Sequence, residues 1–120
     1  MVLVVVEDLL FRSKISSAAR ALGVTVGAAT TPDAAIARAR AERPSVIILD
    51  LDSARTGPLE VLARLGADPE LAAIPTLGFV SHVHADAIRS ARAAGIGEVL
   101  ARSAFAATLP DLLRRYERTT

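Results

Sequence analysis

Short runs of aliphatic residues recur along the chain and alternate with stretches of helical periodicity. Three runs are strong: one ends at the acidic pair Glu7-Asp8, one ends at Asp50, and one follows Pro75. Continuous runs of four or five residues that include β-branched side chains are typical of strands buried on both faces of a sheet. Together with two weaker runs, the pattern predicts strands at 3–6, 24–28, 46–49, 76–80 and 98–101.

A helical pattern follows each predicted strand. Apolar residues recur at helical spacing, and a glycine follows several of these stretches as a candidate C-cap. Thr31 and Pro32 suit the N-cap and the first position of the second helix, whereas Pro110 predicts that the last helix begins near Leu109. The helical stretches cover 11–22, 32–42, 59–65, 84–94 and 105–116.

Strand and helix alternate about five times over the whole chain, without a linker, a repeat or a second domain. We therefore expect one α/β domain over residues 1–120. This order is typical of a doubly wound parallel sheet with helices on both faces, a three-layer α/β/α architecture. The pattern alone leaves both main strand orders open, but five units in 120 residues favour the flavodoxin-like (βα)5 order 2-1-3-4-5.

Composition narrows the function classes. Cysteine is absent, which excludes disulfides, thiolate metal sites and cysteine nucleophiles. The net charge is +1 and aromatic residues make up 3%, so neither a basic stripe nor a base-stacking platform for nucleic acid is expected. No targeting pattern stands at the start, and no apolar run reaches the roughly 20 residues of a membrane span. We expect a cytoplasmic protein without direct nucleic-acid or membrane contacts.

Three carboxylates stand at the ends of the first and third predicted strands, Glu7, Asp8 and Asp50. In the 2-1-3-4-5 order these two strands flank the switch point, where ligands of such sheets bind. Like charges repel, so the cluster requires a cation or a basic side chain. Carboxylate oxygens are suitable ligands for Mg²⁺. With the metal bound beside it, Asp50 is a candidate nucleophile that attacks phosphorus.

Other chemistries find less support in the sequence. The segment from Glu7 to Ser13 contains no glycine, which argues against the phosphate loops of NAD, ATP and flavin sites. His82 and His84 form a pair without a third ligand nearby, which is a poor zinc site, and no G-x-S-x-G turn supports a hydrolase. An alternative function, of a different class, is that of a small flavodoxin-like cofactor-binding protein or transferase.

The chain resembles the receiver domains of bacterial two-component response regulators. Three features carry the resemblance: the acids after the first and third strands, the segment from Asp68 to Pro75, and Gly95-x-Gly97 before the fifth strand. The resemblance covers essentially the entire chain. It implies a CheY-like module of phosphorelay signalling whose partner is a sensor histidine kinase or another signalling protein. It also implies no enzyme activity beyond Mg²⁺-dependent self-phosphorylation.

The resemblance assigns a role to each acid. Glu7 and Asp8 fall on the family's magnesium-binding pair, and Asp50 falls on the phospho-acceptor aspartate. Asp52 falls where a backbone carbonyl completes the metal site. The implied cofactor is therefore Mg²⁺.

Several positions depart from the family's pattern. Val80 stands where the family has a Thr or Ser whose hydroxyl grips the phosphoryl group, and Ser81 beside it is a candidate substitute. Arg102 replaces the family's lysine and keeps its charge, while Ser103 replaces the following proline. Val99 occupies the aromatic switch position of the fifth strand. We therefore expect an atypical receiver, or pseudo-receiver.

These departures leave two mechanisms open. In the first, Asp50 is phosphorylated, Glu7 and Asp8 hold Mg²⁺, and Arg102 steadies the added charge. In the second, Arg102 lies permanently against Asp50 and the acidic pair, metal binding is weak or lost, and the protein docks to its partners without phosphorylation. The departures slightly favour the second mechanism.

The resemblance also implies an output surface formed by the fourth helix, the fifth strand and the fifth helix. The same surface is a candidate homodimer interface. On this sequence the surface draws on Ile88, Arg89, Arg92, Val99, Leu109 and Leu113. Of these residues, Ile88, Val99 and Leu109 are more consistent with positions in the core.

Overall fold

A computed structural model describes residues 1–81 and 84–117, in which five strands and five helices alternate. Every predicted element is present, with bounds that differ mostly by a few residues. The strands are β1 Val2–Val5, β2 Val26–Ala28, β3 Val46–Asp50, β4 Thr76–Val80 and β5 Glu98–Ala101. The helices are α1 Leu9–Ala21, α2 Pro32–Glu42, α3 Pro58–Ala67, α4 Ala85–Ala93 and α5 Arg102–Glu117.

The strands form one parallel sheet in the order β2-β1-β3-β4-β5. This confirms the predicted flavodoxin-like fold. The register pairs Val5 of β1 with Leu49 of β3, and Asp50 of β3 with Phe79 of β4. Since all neighbouring strands run the same way, the carboxyl ends of β1, β3 and β4 meet at one edge of the sheet.

The continuous apolar strands result from burial on both faces of the sheet. In β1, Leu3 and Val5 belong to a core shared with α2, α3 and α4, whereas Val2 and Val4 belong to a second core shared with α1 and α5. Every residue of β1, β3 and β4 is buried. Each buried leucine or valine contributes about 1.5–3 kcal/mol relative to an exposed one, so both layers of helices are held to the sheet.

The start of α5 differs from the prediction. The helix begins at Arg102, directly after β5, and Pro110 lies inside it rather than near its first turn. A proline inside a helix costs about 3 kcal/mol, because a hydrogen bond is lost and the ring meets the carbonyl four residues earlier. Packing on both sides of the proline outweighs this cost. The buried residues of α5 are Phe105, Leu109, Leu112 and Leu113.

The same burial changes the expected output surface. Leu109 and Leu113 are 2% and 1% exposed and lie in the core, so they are not surface residues. This confirms the core position expected of Leu109. Ile88 and Val99 are partly buried against the opposite core. Arg89 and Arg92 are exposed on α4.

Gly97 lies where the backbones of β4 and β5 approach closely. Its N–H donates to the Thr76 hydroxyl at 2.9 Å, and a Cβ atom on it would lie 2.8 Å from the Thr76 carbonyl oxygen. Gly95, two residues earlier, has a φ of +97°, a backbone conformation that residues with a side chain rarely adopt.

In the described part of the chain, no helix has the length and apolar character that a membrane span requires.

Candidate functional site

The carboxyl ends of β1 and β3 bring the predicted acids to the same edge of the sheet, but each has its own partner. Glu7 pairs with Arg55, whose Nη1 lies 3.2 Å from Glu7 Oε1. Asp8 is the N-cap of α1, where its Oδ1 accepts hydrogen bonds from the N–H groups of the helix's first turn. Asp50 is 5% exposed and accepts the Asp52 N–H at 3.0 Å.

Arg102 lies among the carboxylates. Its Nη2 is 3.6 Å from an oxygen of Asp50 and 3.6 Å from an oxygen of Asp52, and its Nη1 is 3.9 Å from Asp8 Oδ2. These distances are those of ion pairs, longer than direct hydrogen bonds. Arg102 is the first residue of α5, so the end of β5 directs its side chain across the ends of β1 and β3.

A stack of three phenyl rings supports the Arg102 guanidinium. The guanidinium carbon lies 4.7 Å from the ring centre of Phe11 and 5.2 Å from that of Phe79. Phe79 stacks on Phe11 at 4.8 Å and on Phe105 at 4.7 Å. These are all three phenylalanines of the chain. Cation–π attraction to the stack therefore holds the guanidinium in place beside the carboxylates.

Asp52 contributes its side chain as well as the backbone position that the resemblance assigned to it. Its Oδ1 is 2.5 Å from Nδ1 of His84, and its Oδ2 accepts the Ser81 N–H at 2.9 Å. His84 is the N-cap residue of α4, although its side chain does not cap that helix. Asp52 therefore ties the segment after β3 to the start of α4. The other member of the predicted histidine pair, His82, lies outside the described residues.

The end of β4 has no hydroxyl at the position that the resemblance pointed to. Val80 is 1% exposed and packs in the core shared with α2, α3 and α4. Ser81, the next residue, is half-buried and lines a cavity of about 430 Å³ with Phe11, Lys14 and Arg102. Ser81 is therefore near Arg102, while its backbone N–H is held by Asp52.

The surroundings of Asp50 and Asp52 shift the pKa values of these two aspartates in opposite directions. Burial raises the pKa of Asp50, an effect that the Asp52 N–H and the Arg102 charge oppose only in part. Burial also acts on Asp52, but the hydrogen bonds from His84 and the Ser81 N–H outweigh it, so the pKa of Asp52 lies below its ordinary value. Asp52 is thus the more readily ionised partner of Arg102.

The donor set does not fit Mg²⁺ in this arrangement. Within residues 1–81 and 84–117, no three acidic or histidine side chains come together as ligands of one ion. Glu7 is engaged by Arg55, and the guanidinium of Arg102 lies within ion-pair distance of Asp8 and Asp50. A magnesium ion and this guanidinium would compete for the same carboxylates. The magnesium site stays a prediction.

Neither the stack beneath Arg102 nor the side-chain role of Asp52 is apparent from the sequence. Phe11, Phe79 and Phe105 come from α1, β4 and α5, and no local pattern indicates that they meet. The Asp52–His84 contact likewise joins two loops that only the fold brings together. The order of the strands nevertheless predicted that the acids after β1 and β3 would meet at one edge of the sheet, as they do.

Comparison with known proteins gives structural matches only: no family model and no curated protein sequence matches the chain. The phosphorylated cyanobacterial phytochrome response regulator RcpA has 21% identity and a TM-score of 0.83, over 99% of this chain and 94% of RcpA. The chemotaxis response regulator CheY4 of Vibrio cholerae has 23% identity and a TM-score of 0.81, over 96% of each chain.

A third match is the receiver domain of the sensor histidine kinase PA1611 from Pseudomonas aeruginosa PAO1. It has 19% identity and a TM-score of 0.82, over 96% of this chain and 94% of that domain. Its structure has a magnesium ion coordinated in the active-site cleft. At these identities the likeness is one of fold. The chain therefore has the fold of response-regulator receiver domains.

Proposed function

We propose that this chain is an atypical receiver domain of bacterial two-component signalling that acts as a protein-interaction module. Its fold supports the family, and the contacts of Arg102 support the departure from the family's usual chemistry. The observation that carries the proposal is a single guanidinium within 3.9 Å of three carboxylates. In this proposal Arg102 is the built-in cation that the acidic site requires.

A built-in cation changes what the site needs from solution. The guanidinium is covalently attached and stacked on Phe11, so it compensates the carboxylates without the loss of translational freedom that a captured ion undergoes. Mg²⁺ would have to displace it and recruit Glu7 away from Arg55. Asp50 remains the candidate phospho-acceptor. The working conformation, however, forms without a phosphoryl group or a metal.

The end of β4 supports the same reading. A buried valine at position 80 offers no hydroxyl to a phosphoryl oxygen on Asp50. The His84–Asp52 contact already holds the start of α4 toward the site. Phosphorylation of Asp50 would therefore cause little further movement of the start of α4 toward the site. Self-phosphorylation is at most a residual activity.

The proposed partners are signalling proteins, with a sensor histidine kinase as the first candidate, and the proposed location is the cytoplasm. The face of α4, β5 and α5 is proposed to contact an output partner or a second copy of the chain. Its exposed members include Arg89 and Arg92, whereas its leucines lie in the core. Recognition on this face would therefore be mainly polar.

An NMR titration tests the proposal. Amide spectra of the wild-type chain, of Asp50→Asn and of Arg102→Lys are recorded with millimolar Mg²⁺ and then with beryllofluoride, which mimics an acyl phosphate on aspartate. We expect no site-specific shifts in the wild-type chain. Arg102→Lys restores the family's lysine and removes the planar guanidinium from the stack, so shifts near Glu7, Asp8 and Asp50 should appear in that variant.

The matched control is Arg92→Lys, the same exchange at an exposed position of α4. It should behave as the wild-type chain does. Wild-type shifts that require both Mg²⁺ and beryllofluoride, and that disappear in Asp50→Asn, would instead establish a working acceptor site. That result would reject the phosphorylation-independent state in favour of the first mechanism.

A further inference from the structure

The three basic residues of α1 stand apart from most other cations of the chain. Nine arginines form ion pairs with carboxylates among the described residues. Arg12, Lys14 and Arg20 have no hydrogen bond or ion pair with any of these residues, and α1 contains no acidic residue. The helix therefore presents positive charge that nothing in the described chain neutralises.

Two of these cations line a continuous groove between α1 and the edge strand β2. A cavity of about 460 Å³ and another of about 370 Å³ adjoin there, since both are lined by Ser16 and Val26. No carboxylate lines either of them. We call the two cavities together the α1–β2 groove. On the α1 side it is lined by Leu9, Arg12, Ser13, Ser16 and Arg20.

One end of the α1–β2 groove carries an exposed apolar side chain. Leu9, the first residue of α1, is 69% exposed and lines only the larger of the two cavities. Its position in the basic groove would let it contact an apolar group at one end of a ligand that carries negative charge along the rest.

The shape of the groove favours a protein segment over a small molecule. Both cavities open to solvent, whereas small-ligand sites enclose most of their ligand. Addition of a strand to β2 is disfavoured, because β2 has three residues and Arg38 donates a hydrogen bond to the Ala28 carbonyl. Recognition would therefore rest on the side chains of α1.

We propose that the α1–β2 groove binds an extended acidic segment of a partner protein, with an apolar residue of that segment against Leu9. Arg12 and Arg20 lie eight residues apart on α1, which is about 12 Å along the helix axis. An extended peptide advances about 3.3 Å per residue, so acidic side chains four positions apart match this spacing. The inference rests on the proposed role as an interaction module, but not on the state of Asp50.

Fluorescence anisotropy with a dye-labelled synthetic peptide tests this proposal. The probe is Leu-Ser-Glu-Ser-Gly-Ser-Glu, which has its glutamates four positions apart. One control peptide has glutamine in place of both glutamates, and a second has the two glutamates adjacent. We expect the first probe to bind, both controls to bind several-fold more weakly, and added salt to weaken binding by screening.

Variants of the protein locate the binding. Arg12→Gln and Arg20→Gln should each weaken binding by about three- to fivefold, as expected for loss of one exposed charge pair. Arg40→Gln removes an exposed arginine of α2, which packs on the other face of the sheet from α1, and should leave binding unchanged. Since no side chain of the groove takes part in the contacts of Arg102, this test and the Mg²⁺ titration fail independently.

Four outcomes overturn the proposal. Equal binding of the glutamine peptide would mean that the groove recognises only apolar residues. An equal loss with Arg40→Gln would mean unspecific attraction to a basic surface. Binding of free suberate as tightly as the peptide, with the same dependence on Arg12 and Arg20, would assign the groove to small organic dianions. Failure of the probe to bind would likewise reject it.

Discussion

Removal of the Arg102 charge should destabilise the fold mainly through Asp50. Arg102→Gln leaves an aspartate that is 5% exposed without its nearest cation. The pair is best isolated by a double-mutant cycle with Asp50→Asn, since each single variant also alters other contacts. The coupling free energy of the cycle is the predicted quantity.

The structure sets the size of that coupling. At 3.6 Å and an effective dielectric constant of about 20, the gross Coulomb attraction is about 4–5 kcal/mol. Exposed ion pairs deliver only about 0.2–1 kcal/mol of this, and removing one partner of a buried pair costs about 3–5 kcal/mol. The Asp50 side chain is 7% exposed but that of Arg102 is 34% exposed. We therefore expect a coupling of about 1–2 kcal/mol.

The pH dependence has a definite sign. Burial already raises the pKa of Asp50 above that of an unfolded aspartate, so its ionised form lowers stability at neutral pH. Arg102→Gln removes an opposing charge and raises that pKa further. The stability difference between Arg102→Gln and the double variant should therefore be largest at neutral pH. It should shrink as pH falls through the folded-state pKa of Asp50, where both chains are neutral at this position.

Urea denaturation followed by far-ultraviolet circular dichroism measures all four free energies of unfolding. Equal denaturant slopes across the four proteins are required before the cycle is evaluated. A coupling below about 0.5 kcal/mol, within the error expected for independent sites, would show that Arg102 and Asp50 do not interact. A stability difference that grows as pH falls would refute the assigned direction of the Asp50 pKa.

Three further variants test the surroundings of the site. Gly97→Ala places a Cβ atom against the Thr76 carbonyl oxygen and should cost about 1–3 kcal/mol, read from the urea midpoint; an unchanged midpoint would contradict the close approach. Phe79→Ala removes the central ring of the stack and should cost about 3–5 kcal/mol by calorimetry, and a loss below 1 kcal/mol would mean that the stack is loosely packed. His84→Ala should cost less than about 1 kcal/mol globally but speed amide exchange at the start of α4, and unchanged exchange would show that the contact with Asp52 does not hold this helix.

The sheet was predictable because its signal is local. A strand buried on both faces is apolar along most of its length, and β1, β3 and β4 meet that requirement except at Asp50, which ends β3, and Thr76, which begins β4. The edge strand β2 is shorter than predicted, at Val26–Ala28, because Val24 lies outside the paired segment. Strand order followed from the number of units rather than from any single residue.

The predicted start of α5 was wrong, because the free-energy cost of Pro110 was considered without the packing around it. Local propensity placed the start of the helix at Leu109. The structure buries Phe105 before the proline and Leu112 after it on one helix face, so the helix continues through Pro110. Burial of this kind depends on where the sheet lies, which no window of the sequence contains.

The meeting of the acids at one edge of the sheet was predictable from the sequence, but their contacts were not. The ends of β1 and β3 supplied the acids, and the resemblance supplied the comparison that singled out Arg102. The second mechanism proposed from the sequence places Arg102 against Asp50 and the acidic pair. Arg102 lies within ion-pair distance of Asp50 and Asp8, and the mechanism itself stays a prediction. The engagement of Glu7 by Arg55 was not foreseen, because it joins side chains 48 positions apart.

The rings beneath Arg102 also have a magnetic consequence. Circulating π electrons of a phenyl ring shift nuclei above its face to lower frequency. The side-chain protons of Arg102, whose guanidinium lies over Phe11, should therefore resonate apart from those of exposed arginines. Any ligand or substitution that lifts the guanidinium from the ring would return these resonances toward ordinary values. The chain thus contains an intrinsic spectroscopic reporter, free of added labels, of whether its internal cation is docked.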